Sequence, residues 1–153
     1  MPIMDDAPVC ASRRLTLLAI NILFLMLWGF AAIGKLQSGL PPWFDQKFGQ
    51  TFFASFPGLS ATFWLLAASE LLAFLLGVIA LVRLEALRTP REPRWLTGMI
   101  VWSLFVFLEL SFGQWLIADF AGGFQEFVYF SGTLVALLFT GSAAGGRGLP
   151  QGP

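Results

Sequence analysis

Four stretches of this chain, residues 15–36, 61–82, 95–118 and 124–141, each stay apolar for close to the ~20 residues that a hydrocarbon core demands of a helix. Inside lipid every backbone N–H and C=O must find an internal partner, so such stretches can only become helices. Hydrophobic residues make up 57% of the chain and charged residues 12%, against roughly 25% charged in soluble domains. The stretches leave no segment large enough for a soluble domain. The expected fold is therefore all-α: one membrane domain over residues 1–153, a four-helix transmembrane bundle with short connections. The Gly- and Pro-rich segment 142–153 should be a flexible tail.

The charges are sorted by side. Arg13, Arg14, Arg83, Arg88, Arg91, Arg94 and Arg147 lie before the first stretch, between the second and third, or after the fourth, whereas only Lys35 and Lys47 lie at or in the first loop. By the positive-inside rule both termini are cytoplasmic, and 39–60 and the turn around Gly122 and Gly123 face outward. Arg83, Arg88, Arg91 and Arg94 should meet the anionic inner leaflet or a partner. Ser12-Arg13-Arg14 partly matches a twin-arginine signal, but no cleavage site follows the apolar run, so an uncleaved anchor is the expectation. A formal net charge of zero without a basic stripe argues against nucleic-acid binding. Histidine is absent and Cys10 stands alone, which removes the usual ligands of haem, zinc and copper and any disulfide framework. The chain should carry no metal or cofactor of its own.

Against this background two acids stand out, Glu70 and Glu109, each near the middle of a separate apolar stretch. A charge at mid-bilayer costs ~2.5 kcal/mol or more, which makes intramembrane acids functional candidates by default. At 1.5 Å per residue both lie about 14 Å inside the outer boundary. They could share a proton, pair with Lys35 reaching down, or accept hydrogen bonds from Asn21, Ser69 and Trp102. The plainer alternative is that they only tie helices together. Asp119 and Glu126 are weaker candidates, since Glu126 in the first turn of the fourth span would simply suit the helix dipole.

Helical spacing puts Asn21, Trp28, Ala32 and Lys35 on one face of the first span. Small residues recur every four positions at Ser69, Ala73 and Gly77 in the second span and at Gly132, Ala136 and Thr140 in the fourth, which lets neighbouring helices approach closely. In the first loop Pro41 and Pro42 precede Trp43, Phe44, Phe48 and Phe52, which read as a short amphipathic helix anchored in the outer interface. The alternative is an aromatic flap over a lipid or quinone pocket.

The run GFAAIGKL at Gly29–Leu36 and then ASELLAFLLGVIAL at Ala68–Leu81 resembles the DoxX-like membrane proteins. The likeness covers the first two spans, with Lys35 and Glu70 at the motif positions. It implies a four-helix bundle associated with redox complexes, including thiosulfate:quinone oxidoreductases and methylamine utilisation systems. This chain lacks the paired cysteines of some redox relatives, which argues against thiol transfer. The leading expectation is an accessory or structural subunit of a redox or energy-converting complex in a bacterial cytoplasmic membrane, contacting lipid and other membrane subunits and shaping a quinone or proton path. Two alternatives are a quinone-reducing enzyme subunit whose carboxylates deliver protons, and a small transporter or lipid-binding protein.

Overall fold

A computed structural model describes residues 7–88 and 93–145, with side chains for 11–88 and 93–141. Its described residues form five α-helices and one short 3-10 turn, without strands: α1 (Ala7–Ser38), α2 (Pro42–Phe48), the turn Phe52–Ala54, α3 (Leu59–Val82), α4 (Arg94–Leu116) and α5 (Phe120–Gly145). Ala11–Ser38, α3, α4 and Phe120–Gly141 are each long and apolar enough to cross a membrane. The chain is an integral membrane protein whose apolar exterior meets lipid. Arg91, Arg147 and most of the Gly- and Pro-rich tail lie outside the described residues.

The helices associate in a fixed order: α1 packs on α3, α3 on α4 and α4 on α5, while α1 and α5 meet only briefly. One core runs through them, built from Leu17, Phe24 and Trp28 of α1, Ala73 and Ala80 of α3, and Met99, Ile100, Val106 and Phe107 of α4. Small residues set the spacing on α3. A Cβ on Gly77 would lie 2.8 Å from Met99 Sδ and 3.0 Å from Leu25 Cδ2, so the helices close there because the side chain is absent. Two polar clamps hold α1. Trp28 Nε1 donates to Ser103 Oγ at 2.8 Å. The Asn21 amide, fully buried, lies between the Gly77 carbonyl and the Leu81 N–H, and the orientation that satisfies both has its nitrogen donating to the carbonyl and its oxygen accepting from the N–H, each at 3.2 Å.

Several boundaries differ from the sequence expectation. Arg13 and Arg14 ride on α1, which already begins at Ala7. Gly122 and Gly123 are helical rather than a turn. The turn lies just before them, where Asp119 Oδ1 accepts from the Gly122 N–H at 2.9 Å and caps α5. α3 and α4 both end in the same motif: Glu85 N–H donates to Ala80 O and Asp119 N–H to Gln114 O, each spanning six residues. That geometry needs a left-handed residue, normally glycine, yet Leu84 (φ 53°) and Ala118 (φ 58°) occupy it. The expected small stripe on α5 also turns: Gly132 is exposed, with open space where its Cβ would be, while Thr133 and Thr140 face inward. Ala136 packs at the margin of the core. A four-residue period drifts around a helix of 3.6 residues per turn, so residue 132 is carried off the face that 133 and 140 share.

Candidate functional site

The α2 end of the bundle carries the polar groups. Lys35, in the last turn of α1, reaches Glu70 on α3 with Nζ 2.7 Å from Oε1 and 2.8 Å from Oε2. Among the described residues this is the one ion pair. Glu70 is 1% exposed, whereas the Lys35 side chain keeps 21%. The pair is thus closed on the acid's side and open on the base's side. Of the three arrangements open to the two acids, the Lys35 pairing is the one that forms at Glu70.

Glu109 behaves differently. It is not enclosed by the protein: it is exposed on α4, where its Oε1 accepts from Ser69 Oγ at 3.3 Å. Ser69 precedes Glu70 on α3, and its carbonyl accepts from Trp102 Nε1 at 2.9 Å. Trp102 therefore fixes the α3 backbone rather than an acid, and Asn21 is engaged two to three turns away. A third acid joins from α5. Glu126 lies beyond the first turn of its helix, which removes the dipole explanation for it. Its Oε2 is buried without a hydrogen-bond partner among the described residues. Each spanning helix thus contributes an ionisable side chain to the flap half of the bundle: Lys35 from α1, Glu70 from α3, Glu109 from α4 and Glu126 from α5.

The first loop covers this end. Phe44 and Phe48 are buried with Phe63 of α3, with Phe53, Leu59 and Ile117 packed around them. The interface-anchor expectation is corrected at both residues. They point into the bundle, where the Phe44 ring meets Phe63 edge-on with centroids 5.3 Å apart. Of the four expected anchors, Trp43 and Phe52 are the exposed ones, and Phe52 lies in the 3-10 turn rather than on α2. Between this flap and the spans is a cavity of about 330 Å³, in the range of small-molecule sites. Its walls are mainly aromatic and aliphatic, among them Phe44, Phe48, Leu66 and Phe112, with Lys35, Lys47, Thr62, Glu109 and Gln114 as polar points. Gln114 Oε1 is buried and lacks a partner among the described residues.

Chemically, an ammonium has three donors, and Lys35 directs two contacts at Glu70. One donor is left for whatever enters the cavity. Among the described residues, no three His, Cys, Asp or Glu side chains cluster as metal ligands would. At the opposite end Arg83, Arg88 and Arg94 surround a broad cleft. Sequence reasoning gave Glu126 and Gln114 too little weight. Glu126 carried a usable signal, an acid within an apolar helix, which a misplaced helix start hid. Gln114 carried none, because its burial depends on the turn after α4.

No family model matches the chain, and no curated protein or solved structure matches it either.

Proposed function

We propose that this chain is a DoxX-like, noncatalytic subunit of a bacterial redox or energy-converting membrane complex, and that its flap-covered cavity receives the head of a membrane-soluble quinone. The observation that carries this reading is the Lys35–Glu70 pair, sealed around the acid while Lys35 lines the cavity with a donor to spare. The donor set fits a quinone: apolar walls for the ring and tail, Lys35 for one carbonyl, and Glu109 with Gln114 for a hydroxyl of the reduced form. A quinone would supply the redox chemistry. Glu70 would hold Lys35 in position, and Ser69 would orient Glu109. The surplus of acids at this end, Glu70, Glu109 and Glu126 against Lys35 and Lys47, favours a second reading, a transporter for a small cationic solute.

The test uses the full chain in nanodiscs with an azido-quinone photolabel. Labelling should fall on 42–48 and 110–114, yield to a short-chain quinone, and drop at least tenfold in Lys35→Met. Label spread over all helices in proportion to lipid exposure would remove the quinone site. Glu70→Gln should assemble with the native partners yet lower quinone-dependent turnover of the complex. Recovery of the polypeptide alone and monodisperse from mild detergent would remove the subunit role. Proteoliposome uptake of a small amine, lost in Glu109→Gln, would support the transporter instead.

A further inference from the structure

At the other end of the bundle, the short connection after α3 builds a second site that owes nothing to the cavity under the flap. Leu84, in its left-handed conformation, turns the chain back, and Leu87 and Arg88 donate N–H bonds to its carbonyl at 3.0 and 3.1 Å. This turn holds Arg88 across from Arg94, the first residue of α4, and from Arg83 at the end of α3. The three arginines rim a cleft of about 980 Å³, with Leu76, Trp95 and Gly98 on its apolar side.

The electrostatics of the cleft are one-sided. Among the described residues its lining holds one acid, Glu85, and Glu85 Oε2 is already engaged, accepting from the N–H groups of Trp95 at 2.8 Å and Leu96 at 3.0 Å. Glu85 thus caps α4 from outside the helix and offers the arginines no ion pair within 4 Å. The Arg83 guanidinium lies over the Trp95 ring at 5.4 Å, a contact that orients the cation while leaving its N–H donors free. Arg94 stands where the helix dipole disfavours a cation, so its placement contributes nothing to α4 itself. Below the rim, a Cβ on Gly98 would meet nothing within 4 Å, and the apolar side continues along the spanning faces of α3 and α4 through Leu76 and Gly98.

A cationic rim over an apolar groove that runs into the membrane matches an amphiphile with an anionic phosphate head. We infer that Arg83, Arg88 and Arg94 bind the phosphodiester of an anionic phospholipid, with one acyl chain lying along Leu76 and Gly98. Guanidinium groups suit this role because their N–H fork matches two phosphate oxygens at once.

The test is native mass spectrometry of the full chain, titrated with dioctanoyl phosphatidylglycerol, dioctanoyl phosphatidylcholine, glycerol phosphate and inorganic phosphate. The expected result is retention of phosphatidylglycerol over phosphatidylcholine. At about 1 kcal/mol for each basic residue near the surface, roughly fivefold, the double variant Arg88→Gln/Arg94→Gln should bind phosphatidylglycerol about 25-fold more weakly. Arg13→Gln, on α1 near the same end, should change it less than twofold. Gly98→Leu keeps every charge but fills the groove, so it should weaken lipid binding. Equal retention of both lipids, an equal loss in Arg13→Gln, or inorganic phosphate binding as tightly as the lipid would each overturn the assignment. If the double variant does not fold, the two single variants carry the same comparison at about fivefold each.

Discussion

At the scale of the residue, Lys35 and Glu70 form an asymmetric pair. Glu70 is enclosed near the middle of α3, while Lys35 ends α1 and keeps part of its side chain open. Removing one partner of a buried ion pair costs about 3–5 kcal/mol when the other charge is stranded. Only Glu70 is stranded, because a lysine at a helix end can extend its head to the interface. Lys35→Met should therefore be the most damaging single change, Glu70→Met should cost less, and the double variant should recover most of the loss. Reversible unfolding in mixed micelles would measure the cycle, and simple addition of the two losses would contradict it. The acids were visible in the sequence because a carboxylate in an apolar run is conspicuous. Their different fates were not, since spacing along one helix does not reveal whether a neighbour covers its flank. Glu70 faces α1 and Glu109 faces the flap.

At the scale of the element, the exits of α3 and α4 are made without glycine. A non-glycine residue in the left-handed region costs roughly 1–2 kcal/mol, and Ala118 carries that cost in the turn leading to α5. Ala118→Gly should stabilise the protein by about 1 kcal/mol, observed as a higher unfolding midpoint in the same micelles. A lower midpoint would mean that the Ala118 methyl has a packing role. These exits also set where the helix boundaries fall. Gly122 and Gly123 announce a turn, yet they lie inside α5 because Asp119 caps that helix. On Gly123 a Cβ would run into the Trp115 ring, so this glycine serves the close approach of α5 to α4. Composition announces glycine without saying whether the chain bends there or another helix presses against it.

At the scale of the whole molecule, charge and topology agree. Arg13, Arg14, Arg83, Arg88 and Arg94 collect at one end of the bundle, and Lys35 and Lys47 at the other. In a Cys10→Ser background, Lys47→Cys should react with an impermeant maleimide in intact cells and Arg88→Cys only after permeabilisation. The reverse pattern would invert the orientation and put the flap inside. The four spans and the helical class were legible because length and hydropathy follow directly from bilayer thickness. The order of neighbours was not, because in lipid apolar faces can pair with tails as well as with helices, and shape decides. On α3, Gly77 supplies that shape.

The amide of Asn21 grips α3 by its main chain rather than by any side chain. Main-chain groups do not depend on the side chain, so the grip survives exchange of Leu81 for another aliphatic and is released by a change at Asn21 or by a Cβ on Gly77, which would press on Leu25 of α1. Asn21→Leu should loosen the helix pair by about 0.6–2 kcal/mol, whereas Leu81→Met should be almost silent in the same unfolding assay. Tolerance to substitution along this contact is therefore unequal, strict at Asn21 and Gly77 and permissive at Leu81.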